Sequence, residues 1–410
     1  MTDKIVLPTD GDSSGRDLGA EELALVREAI ESGHLTSTRG TMVPRLEKEF
    51  AEAFAVRQAI ACTNGSAAVQ TAVAAINPGP GDEVITTPIT DMGAITAILY
   101  QGAIPIFADV DPHSLNMTAE TIRARITPHT KAIIVTHLFG NPCDMDPIMA
   151  LARDRGIPVI EDTAQAFMST YKGKLCGTIG DIGCFSFQQS KQMTTGEGGI
   201  VVSNNEDYAR RMFLFVNKAW GYGDSNPDHY FLAPNFRLTE LQGAVAVAQL
   251  AKLPSVIERR HRTATLLSEL LGGLEHIDVP AVTADSKHTY WRYPLRIKAE
   301  GEALDQLAAK IRSHGVHCAP RYVVKPAFEC QVIRDRVSFG DSHWPWEGGH
   351  MVGRDPIVHD PKTFPGAYDG LAHVLVIPWN EFYTEDIVRA IAEVVKAAEG
   401  EILGAEATHG

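Results

Sequence analysis

The chain has 410 residues and a formal net charge of −14, with 44% hydrophobic and 21% charged residues. A chain of this length can form two domains. Its proportions of hydrophobic and charged residues are typical of a soluble globular protein rather than a disordered or membrane protein. No apolar run reaches the roughly 20 residues that a membrane-spanning helix needs, and the acidic charge argues against general binding to nucleic acid or anionic membranes.

The cysteines and histidines do not indicate a metal site. The six cysteines form no CxxC pair, and the fifteen histidines form no HExxH motif. We therefore expect no metal, and reduced, mostly buried thiols in a cytoplasmic protein. The N-terminal stretch MTDKIVLPTDGDSSGRD has no continuous apolar core, which argues against a secretory signal.

After an N-terminal arm (residues 1–18), the segment 19–259 alternates short apolar runs with helix-like stretches. The predicted strands are, in chain order, QAIACT, DEVITTP, IPIFADV, KAIIVTHLF, IPVIEDT, IGCFSF and GIVVSN. The predicted helices between them are SAAVQTAVAAI, DMGAITAILYQG, TAETIRARI and MDPIMALARDRG. This alternation predicts an α/β fold with a mainly parallel sheet sandwiched by helices, and a ligand site at the carboxyl ends of the strands.

A long helical stretch, LTELQGAVAVAQLAKLPSVIERRHRTATLLSELLGGL, follows and is expected to break near Pro254. It links the large domain to a smaller C-terminal domain, residues 260–410. Strand signals in YWRYPLRIK and HVLVIPWN, and helix signals in LDQLAAKIRSHG and EDIVRAIAEVVKAAEG, predict an α+β arrangement there. The aperiodic segment Ser338–Tyr368 predicts a long surface or active-site loop.

Lys191 lies between the predicted strand IGCFSF and the glycine-rich run TTGEGG. Most lysines are ordinary surface residues, and the residue type alone does not exclude that interpretation. A partly desolvated lysine has a lowered pKa, however, and its free amine can attack a carbonyl group to form an imine.

Two further features are predicted at the same edge of the sheet. Asp162 ends the strand in IPVIEDTAQA, where it could cap a following helix or supply the buried anion that keeps a pyridinium nitrogen protonated. Asn64, Gly65 and Ser66 open an alanine-rich helix, whose free N–H groups suit a phosphate. Together with Lys191, these features fit the cofactor pyridoxal 5′-phosphate (PLP).

The order of motifs along the chain resembles that of the sugar aminotransferases of the DegT/DnrJ/EryC1/StrS family. The resemblance is dense from Gly19 to Ile257 and looser beyond, and SFQQSK is most similar to the branch that aminates keto-cyclitols and aminoglycoside precursors. It implies a fold-type-I PLP-dependent transferase with a smaller α+β C-terminal domain. The motifs that carry it are GSAAVQ, GDEVITTP, IPIFADVDPHSLN, THLFGNPCDMDPI, VIEDTAQA, GDIGCFSFQQSK, GEGG and NFRLTELQGAVAVAQL.

The resemblance also implies roles for individual residues. Lys191 would form the imine with the cofactor and then shuttle a proton. Asp162 would pair with the pyridine nitrogen, and Gln165 would lie beside the ring. The cofactor phosphate would be bound by Gly65, Ser66 and Ser186.

Asn235 matches the asparagine of the family's N-[YF]-R motif, which reaches the phosphate of the neighbouring subunit. The resemblance therefore implies a homodimer with shared active sites.

One position departs from the family pattern. Relatives usually place Trp or Phe where the run TTPITDMG has Asp91, and a carboxylate cannot replace an aromatic ring stacked on the cofactor. Either Met92 covers that face of the ring, or Asp91 contacts a substrate group, or Asp91 turns outward and hydrogen-bonds locally. Asp91 is therefore a candidate cofactor-binding residue with an open role.

The implied activity is transfer of an amino group from glutamine or glutamate to a keto-sugar or keto-cyclitol, in aminoglycoside antibiotic biosynthesis. The cofactor would pass through its pyridoxamine 5′-phosphate form. Alternatives are a nucleotide-linked keto-sugar as acceptor, or a non-catalytic PLP-binding regulator of the same fold. A pyridoxamine-dependent sugar dehydratase is disfavoured, because those relatives have histidine in place of Lys191. The loop with Trp344 and Trp346 is expected to help select the acceptor.

Overall fold

The computed structural model describes residues 4–404. Strands and helices alternate through the first part of the chain, as the sequence predicts. The strands are β1 (Gln58–Cys62), β2 (Glu83–Thr86), β3 (Ile104–Phe107), β4 (Thr130–Thr136), β5 (Val159–Asp162), β6 (Thr170–Tyr171), β7 (Lys174–Leu175), β8 (Ile182–Ser186), β9 (Gly199–Ser203), β10 (Ile277–Asp278), β11 (Ser286–Lys287), β12 (Arg292–Ile297), β13 (Ala319–Pro320) and β14 (Val374–Pro378). The helices are α1 (Ala20–Glu31), α2 (Met42–Ala53), α3 (Gly65–Ile76), α4 (Met92–Tyr100), α5 (Ala119–Arg123), α6 (Met145–Arg155), α7 (Glu206–Val216), α8 (Glu240–Leu271), α9 (Gly301–Ser313), α10 (Gln331–Arg334), α11 (Pro365–His373) and α12 (Glu385–Ile402).

Within the described residues, seven strands form the large sheet, in the order β1-β9-β8-β5-β4-β2-β3. The neighbouring pairs from β8 to β3 are parallel, whereas β9 runs antiparallel to both β1 and β8. All strands predicted for segment 19–259 lie in this sheet. The prediction of a mainly parallel α/β fold is therefore confirmed.

Helices cover both faces of the large sheet. On one face α3, α4 and α7 pack through small and branched side chains such as Ala68, Val73 and Ile98. On the other face α2 and α8 pack around Phe50 and Phe54, whose rings stack at 4.3 Å. Strands β2 and β5 are accordingly buried along their whole length. Side chains that follow the parallel strands meet at one edge of such a sheet, and this edge holds the candidate site.

The predicted break near Pro254 is wrong, since α8 runs from Glu240 to Leu271 with the proline inside it. Pro254 is exposed, and its missing N–H removes the helical hydrogen bond to the Leu250 carbonyl. Leu250, Leu253 and Val256 are buried around it and hold the helix in place. The predicted domain boundary between residues 259 and 260 falls inside this helix, and the division into 1–18, 19–259 and 260–410 stays a prediction.

The C-terminal part has an antiparallel sheet in the order β10-β12-β14-β13. The strands share a core with α9 and α12, which includes Tyr293, Leu307, Trp379 and Ile391. This is the smaller α+β unit that the sequence predicts.

The segment Ser338–Tyr368 is a long loop as predicted, with short 3₁₀ turns at Gly349–Met351 and Pro361–Thr363. Its last residues already belong to α11, which begins at Pro365. Trp346 is only 5% exposed and joins the hydrophobic core beside the large sheet.

All six cysteines are free thiols in the described structure, and all but Cys330 are buried. None of the helices within residues 4–404 combines the length and apolar character needed to cross a membrane.

Candidate active site

A cavity of about 520 Å³ opens at the carboxyl edge of the large sheet. Its wall is built by the start of α3, the start of α4, the end of β5, the segment after β8, and two side chains from the C-terminal part. The predicted site residues in this wall are Gly65, Ser66, Asp91, Asp162, Gln165, Ser186 and Lys191. The structure thus brings together residues that are up to 126 positions apart, as Gly65 and Lys191 show.

Asn235 is the predicted site residue that does not line this cavity. It is exposed, pairs with Asn217 through an isolated β-bridge, and accepts a hydrogen bond from the Arg237 N–H through Oδ1 at 3.3 Å. Its predicted role on a neighbouring subunit stays a prediction.

Lys191 follows β8 in a tight turn, in which its N–H donates to the Gln188 carbonyl at 2.9 Å. Its Nζ lies 4.0 Å from the ring centroid of Trp291. Desolvation in this walled position lowers the pKa of Lys191 to about 8, while the negative charge of Asp162 opposes the shift. A larger fraction of this side chain than of an ordinary lysine is therefore neutral amine near pH 7, the form that acts as a nucleophile.

The start of α3 offers free N–H groups to the cavity. The Asn64 side chain accepts from the Ala67 N–H at 2.8 Å, and its carbonyl accepts from the Ala68 N–H at 3.0 Å. Within residues 4–404 the N–H groups of Gly65 and Ser66 have no acceptor, and both residues line the cavity. An added Cβ on Gly65 would lie 2.6 Å from the Ser186 Cβ. Only glycine therefore lets the serine approach the helix start.

Asp162 is buried at the end of β5, and burial raises its pKa, against the opposing effects of a hydrogen bond and of Lys191. Its Oδ1 accepts from the Ala164 N–H at 3.1 Å. No helix begins there in the described chain, so the helix-cap interpretation is wrong. Gln165 is held by the Phe139 N–H, which donates to Oε1 at 2.7 Å, and its Nε2 lies 3.4 Å from the Tyr322 hydroxyl.

Asp91 is the N-cap of α4, and its Oδ1 accepts from the Gly93 N–H at 2.8 Å. The local hydrogen bond considered for this residue is therefore present. The residue also lines the cavity, whereas Met92 packs against the hydrophobic core. Contact between Asp91 and a substrate group stays a prediction.

A group of buried potential metal ligands, His137, Glu161 and Cys176, lies on the other face of β5. The Cys143 N–H donates to His137 Nδ1 at 3.0 Å, so the neutral ring carries its hydrogen on Nε2 and donates it to Glu161 at 2.9 Å. The remaining acceptor positions of Glu161 are filled by backbone N–H groups of Gly177, Ile179 and Gly180. Protein groups thus satisfy this network, which fixes the end of β5 and with it Asp162.

Among the wall residues that sequence analysis missed, Trp291 and Tyr322 come from the most distant part of the chain. Both come from the C-terminal part, and YWRYPLRIK carries only a strand signal, so no local pattern points to a site. Trp291 is fixed by its Nε1–H, which donates to the Ser190 carbonyl at 2.7 Å. Trp344 and Trp346, expected to help select the acceptor, are not part of this wall in the described chain.

This set of groups fits PLP. The unpaired N–H groups at the start of α3 suit its phosphate, the buried carboxylate suits its pyridinium nitrogen, and a lysine with a lowered pKa suits its aldehyde. The groups that could hold it are Gly65, Ser66, Asp162, Ser186 and Lys191.

Comparisons with known proteins show which family the chain is similar to. The model of the DegT/DnrJ/EryC1/StrS aminotransferase family matches residues 16–344, a range that contains every cavity residue named above. GDP-perosamine synthase of Caulobacter vibrioides is 36% identical over 310 residues, covering 74% of this chain and 82% of its own. Spore coat polysaccharide biosynthesis protein SpsC of Bacillus subtilis is 30% identical over 396 residues, covering 93% and 96%. The solved structure of an aminotransferase from Psychrobacter cryohalolentis is 30% identical, with a TM-score of 0.81 over 95% of this chain and 98% of that one.

Proposed function

This chain belongs to the DegT/DnrJ/EryC1/StrS family of PLP-dependent aminotransferases, and from that premise we propose that it transfers the amino group of glutamate or glutamine to a nucleotide-linked keto-sugar. The observation that carries the proposal is one cavity that combines an amine of lowered pKa, a buried carboxylate and a helix start with free N–H groups. The nucleotide-linked acceptor is suggested by the GDP-perosamine synthase at 36% identity. A keto-cyclitol of aminoglycoside biosynthesis is the second candidate, favoured by the SFQQSK motif alone.

Five residues of the cavity wall have a task in this proposal. Gly65, Ser66 and Ser186 hold the phosphate, and Asp162 keeps the ring nitrogen protonated. PLP, when bound, supplies an electron sink for the carbon that carries the amino group. Lys191 Nζ would carry a proton between that carbon and C4′ of the cofactor, in opposite directions in the two half-reactions, and a pKa of about 8 suits both directions.

The N-terminal segment and the C-terminal part close the site around the lysine. The Arg16 Nη1 donates to the Lys191 carbonyl at 2.7 Å, and Trp291 lies over its ammonium group. These contacts orient the lysine and exclude water from it. The lowered pKa depends on that exclusion.

A homodimer with shared sites remains part of the proposal. Asn235 is exposed and lies outside the cavity of its own chain. Leu232, three residues earlier, is 97% exposed, and Tyr222 and Tyr230 of the same region are also exposed. Apolar groups of this size beside Asn235 suit a surface that a second copy covers.

The test is a coupled assay with PLP, an amino donor, and two panels of acceptors, nucleotide-linked keto-sugars and keto-cyclitols. We expect the amino group to appear on a nucleotide-linked sugar, with parallel double-reciprocal plots because both half-reactions use one site. Exclusive turnover of keto-cyclitols would transfer the assignment to the second candidate. If no donor changes the spectrum of the bound cofactor, the aminotransferase proposal fails and the protein is a binding regulator.

A further inference from the structure

The wall of the cavity continues beyond the ends of β8 and β9. The antiparallel register of the two strands is extended by two backbone hydrogen bonds, donated by the N–H groups of Phe187 at 2.8 Å and Gln189 at 2.9 Å. This register places Gln188 directly opposite Glu197. Opposite residues of this kind share one face of the pair, with Cβ atoms about 4.5–5.5 Å apart. Both residues line the cavity, and neither has a task in the proposed function.

The side chain of Gln188 is fixed so that it can only donate hydrogen bonds. Its Oε1 accepts from the N–H and from the hydroxyl group of Ser190, both at 2.8 Å. A backbone N–H is always a donor, so the amide atom that faces Ser190 is the oxygen. Within residues 4–404 the Nε2 atom has no partner, and it is not among the fully buried unpaired atoms. The amide therefore offers N–H groups to a ligand in the cavity.

Glu197 supplies the complementary group, which can only accept. Its backbone carbonyl accepts from the Gln242 Nε2 and from the Thr195 hydroxyl group, both at 2.6 Å. In the described part of the chain its carboxylate has no hydrogen bond and no ion pair. An amide donor and a free carboxylate therefore lie side by side in the cavity wall.

The chemistry of this pair limits what it can bind. An anionic group would be repelled by Glu197, and an ammonium group has no lone pair to accept from Gln188. A neutral hydroxyl group uses both residues at once, because its oxygen accepts one hydrogen bond while its hydrogen donates another. A carboxamide, such as the side chain of glutamine, shares this ability.

We propose that Gln188 and Glu197 together bind one ring hydroxyl group of the acceptor, an inference that rests on the proposed function. The hydroxyl oxygen accepts from Gln188 Nε2, and the hydroxyl hydrogen is donated to the Glu197 carboxylate. Keto-sugars and keto-cyclitols both carry such hydroxyls, whereas only one of the two candidate donors carries a carboxamide. Gln188 and Glu197 are thus specificity residues of the acceptor half-reaction, and Ser190 is the positioning residue of Gln188.

Three variants of nearly unchanged shape test the pair. Glu197→Gln leaves two amides, and Gln188→Glu leaves two carboxylates while keeping an oxygen for Ser190. The double variant Gln188→Glu with Glu197→Gln exchanges donor and acceptor at unchanged net charge. Gln189→Glu is the matched control, because it makes the same substitution one position away, on a side chain whose Nε2 donates to the Asp10 carbonyl at 2.8 Å.

The readout is calorimetric binding of two unreactive probes to the PLP-loaded protein, GDP-mannose and myo-inositol. They carry ring hydroxyls without a keto group, represent the two acceptor classes, and are each compared with their monodeoxy analogues. We expect Glu197→Gln and Gln188→Glu each to weaken binding of one probe at least about tenfold, the loss of a hydrogen bond to a charged group or its replacement by repulsion. Neither should affect the analogue that lacks the bound hydroxyl. The double variant should regain part of the preference for the hydroxyl, and Gln189→Glu should retain all of it.

Several outcomes would overturn the inference. They are equal losses with every deoxy analogue, wild-type binding of both probes in the two single variants, or no binding of either probe to the wild type. A slower single-turnover reaction of the single variants with glutamine, but not with glutamate, would assign the pair to the carboxamide of the donor instead. If the pair binds a hydroxyl as described but no acceptor receives an amino group, the proposed function fails and this inference stands.

Discussion

The phosphate site can be tested by adding a single methyl group, in the variant Gly65→Ala. The new Cβ would lie 2.6 Å from the Ser186 Cβ and 2.8 Å from its Oγ. Ordinary carbon contacts are about 3.5–4.0 Å, so the start of α3 and the end of β8 would have to separate by about 1 Å. Ser186 cannot yield easily, because it is buried and paired with Gly199 across the sheet.

The expected cost is that of overpacking a rigid site, about 1–3 kcal/mol. The displaced helix start also no longer aims the N–H groups of Gly65 and Ser66 at the phosphate. We therefore expect PLP affinity to fall at least about tenfold. The assay is absorbance titration of the cofactor-free protein with PLP, together with thermal unfolding of the same sample.

A second change separates the clash from the lost binding groups. Ser186→Gly removes the atoms that the new Cβ meets, so the double variant Gly65→Ala with Ser186→Gly should regain thermal stability. Its PLP affinity should stay low, because the serine hydroxyl is gone. Gly400→Ala serves as control, since no heavy atom lies within 4 Å of its added Cβ. Wild-type PLP affinity in Gly65→Ala would show that the phosphate binds elsewhere.

Further predictions follow from the same site. Lys191→Ala should abolish transamination and the near-visible absorbance of the bound cofactor while leaving the circular dichroism spectrum intact; comparable turnover would refute its assignment. Asp162→Asn should slow the reaction at least about tenfold, or ~1.4 kcal/mol of barrier, and wild-type kinetics would place the carboxylate away from the ring nitrogen. The pKa of Lys191 is lowered to about 8, so the rate at which the lysine captures PLP should rise as the pH increases through 8. Asp162→Asn should move the midpoint of this rise to lower pH. A capture rate that does not change from pH 7 to 9 would contradict the lowered pKa. Mixing the two inactive proteins, Lys191→Ala and Asn235→Ala, at limiting cofactor should restore activity, up to about one functional site per heterodimer. No recovery of activity would show that the sites are not shared.

The large sheet could be predicted because each of its strands is recognisable from its own short stretch of sequence. The runs KAIIVTHLF and IPVIEDT contain the continuous apolar stretches AIIV and IPVI, since both faces of the sheet are covered by helices. The residues at the ends of these strands then meet at one edge by topology alone. For this reason the sequence alone predicts that Asp162 and Lys191 lie close together.

The long helix α8 shows that tertiary packing can outweigh the local preference of a proline against a helix interior. Proline disfavours a helix interior by about 3 kcal/mol, and this predicted a break at Pro254. The buried residues on either side, Leu250, Leu253 and Val256, pack along α8 and outweigh that local cost. Sequence periodicity does not reveal how much packing energy a helix gains.

The environment that lowers the pKa of Lys191 is the part of the site that no local sequence pattern could predict. Its carbonyl is held by Arg16, and its ammonium lies against Trp291, so residues from the N-terminal segment and from the C-terminal part surround it. Before the chain folds, the amine is in water and has an ordinary pKa. It becomes a nucleophile near neutral pH only when the N-terminal segment and the C-terminal part close on it. The glycine-rich turn leaves room for the reaction, but the burial that lowers the pKa of the lysine depends on residues distant in the sequence, such as Trp291.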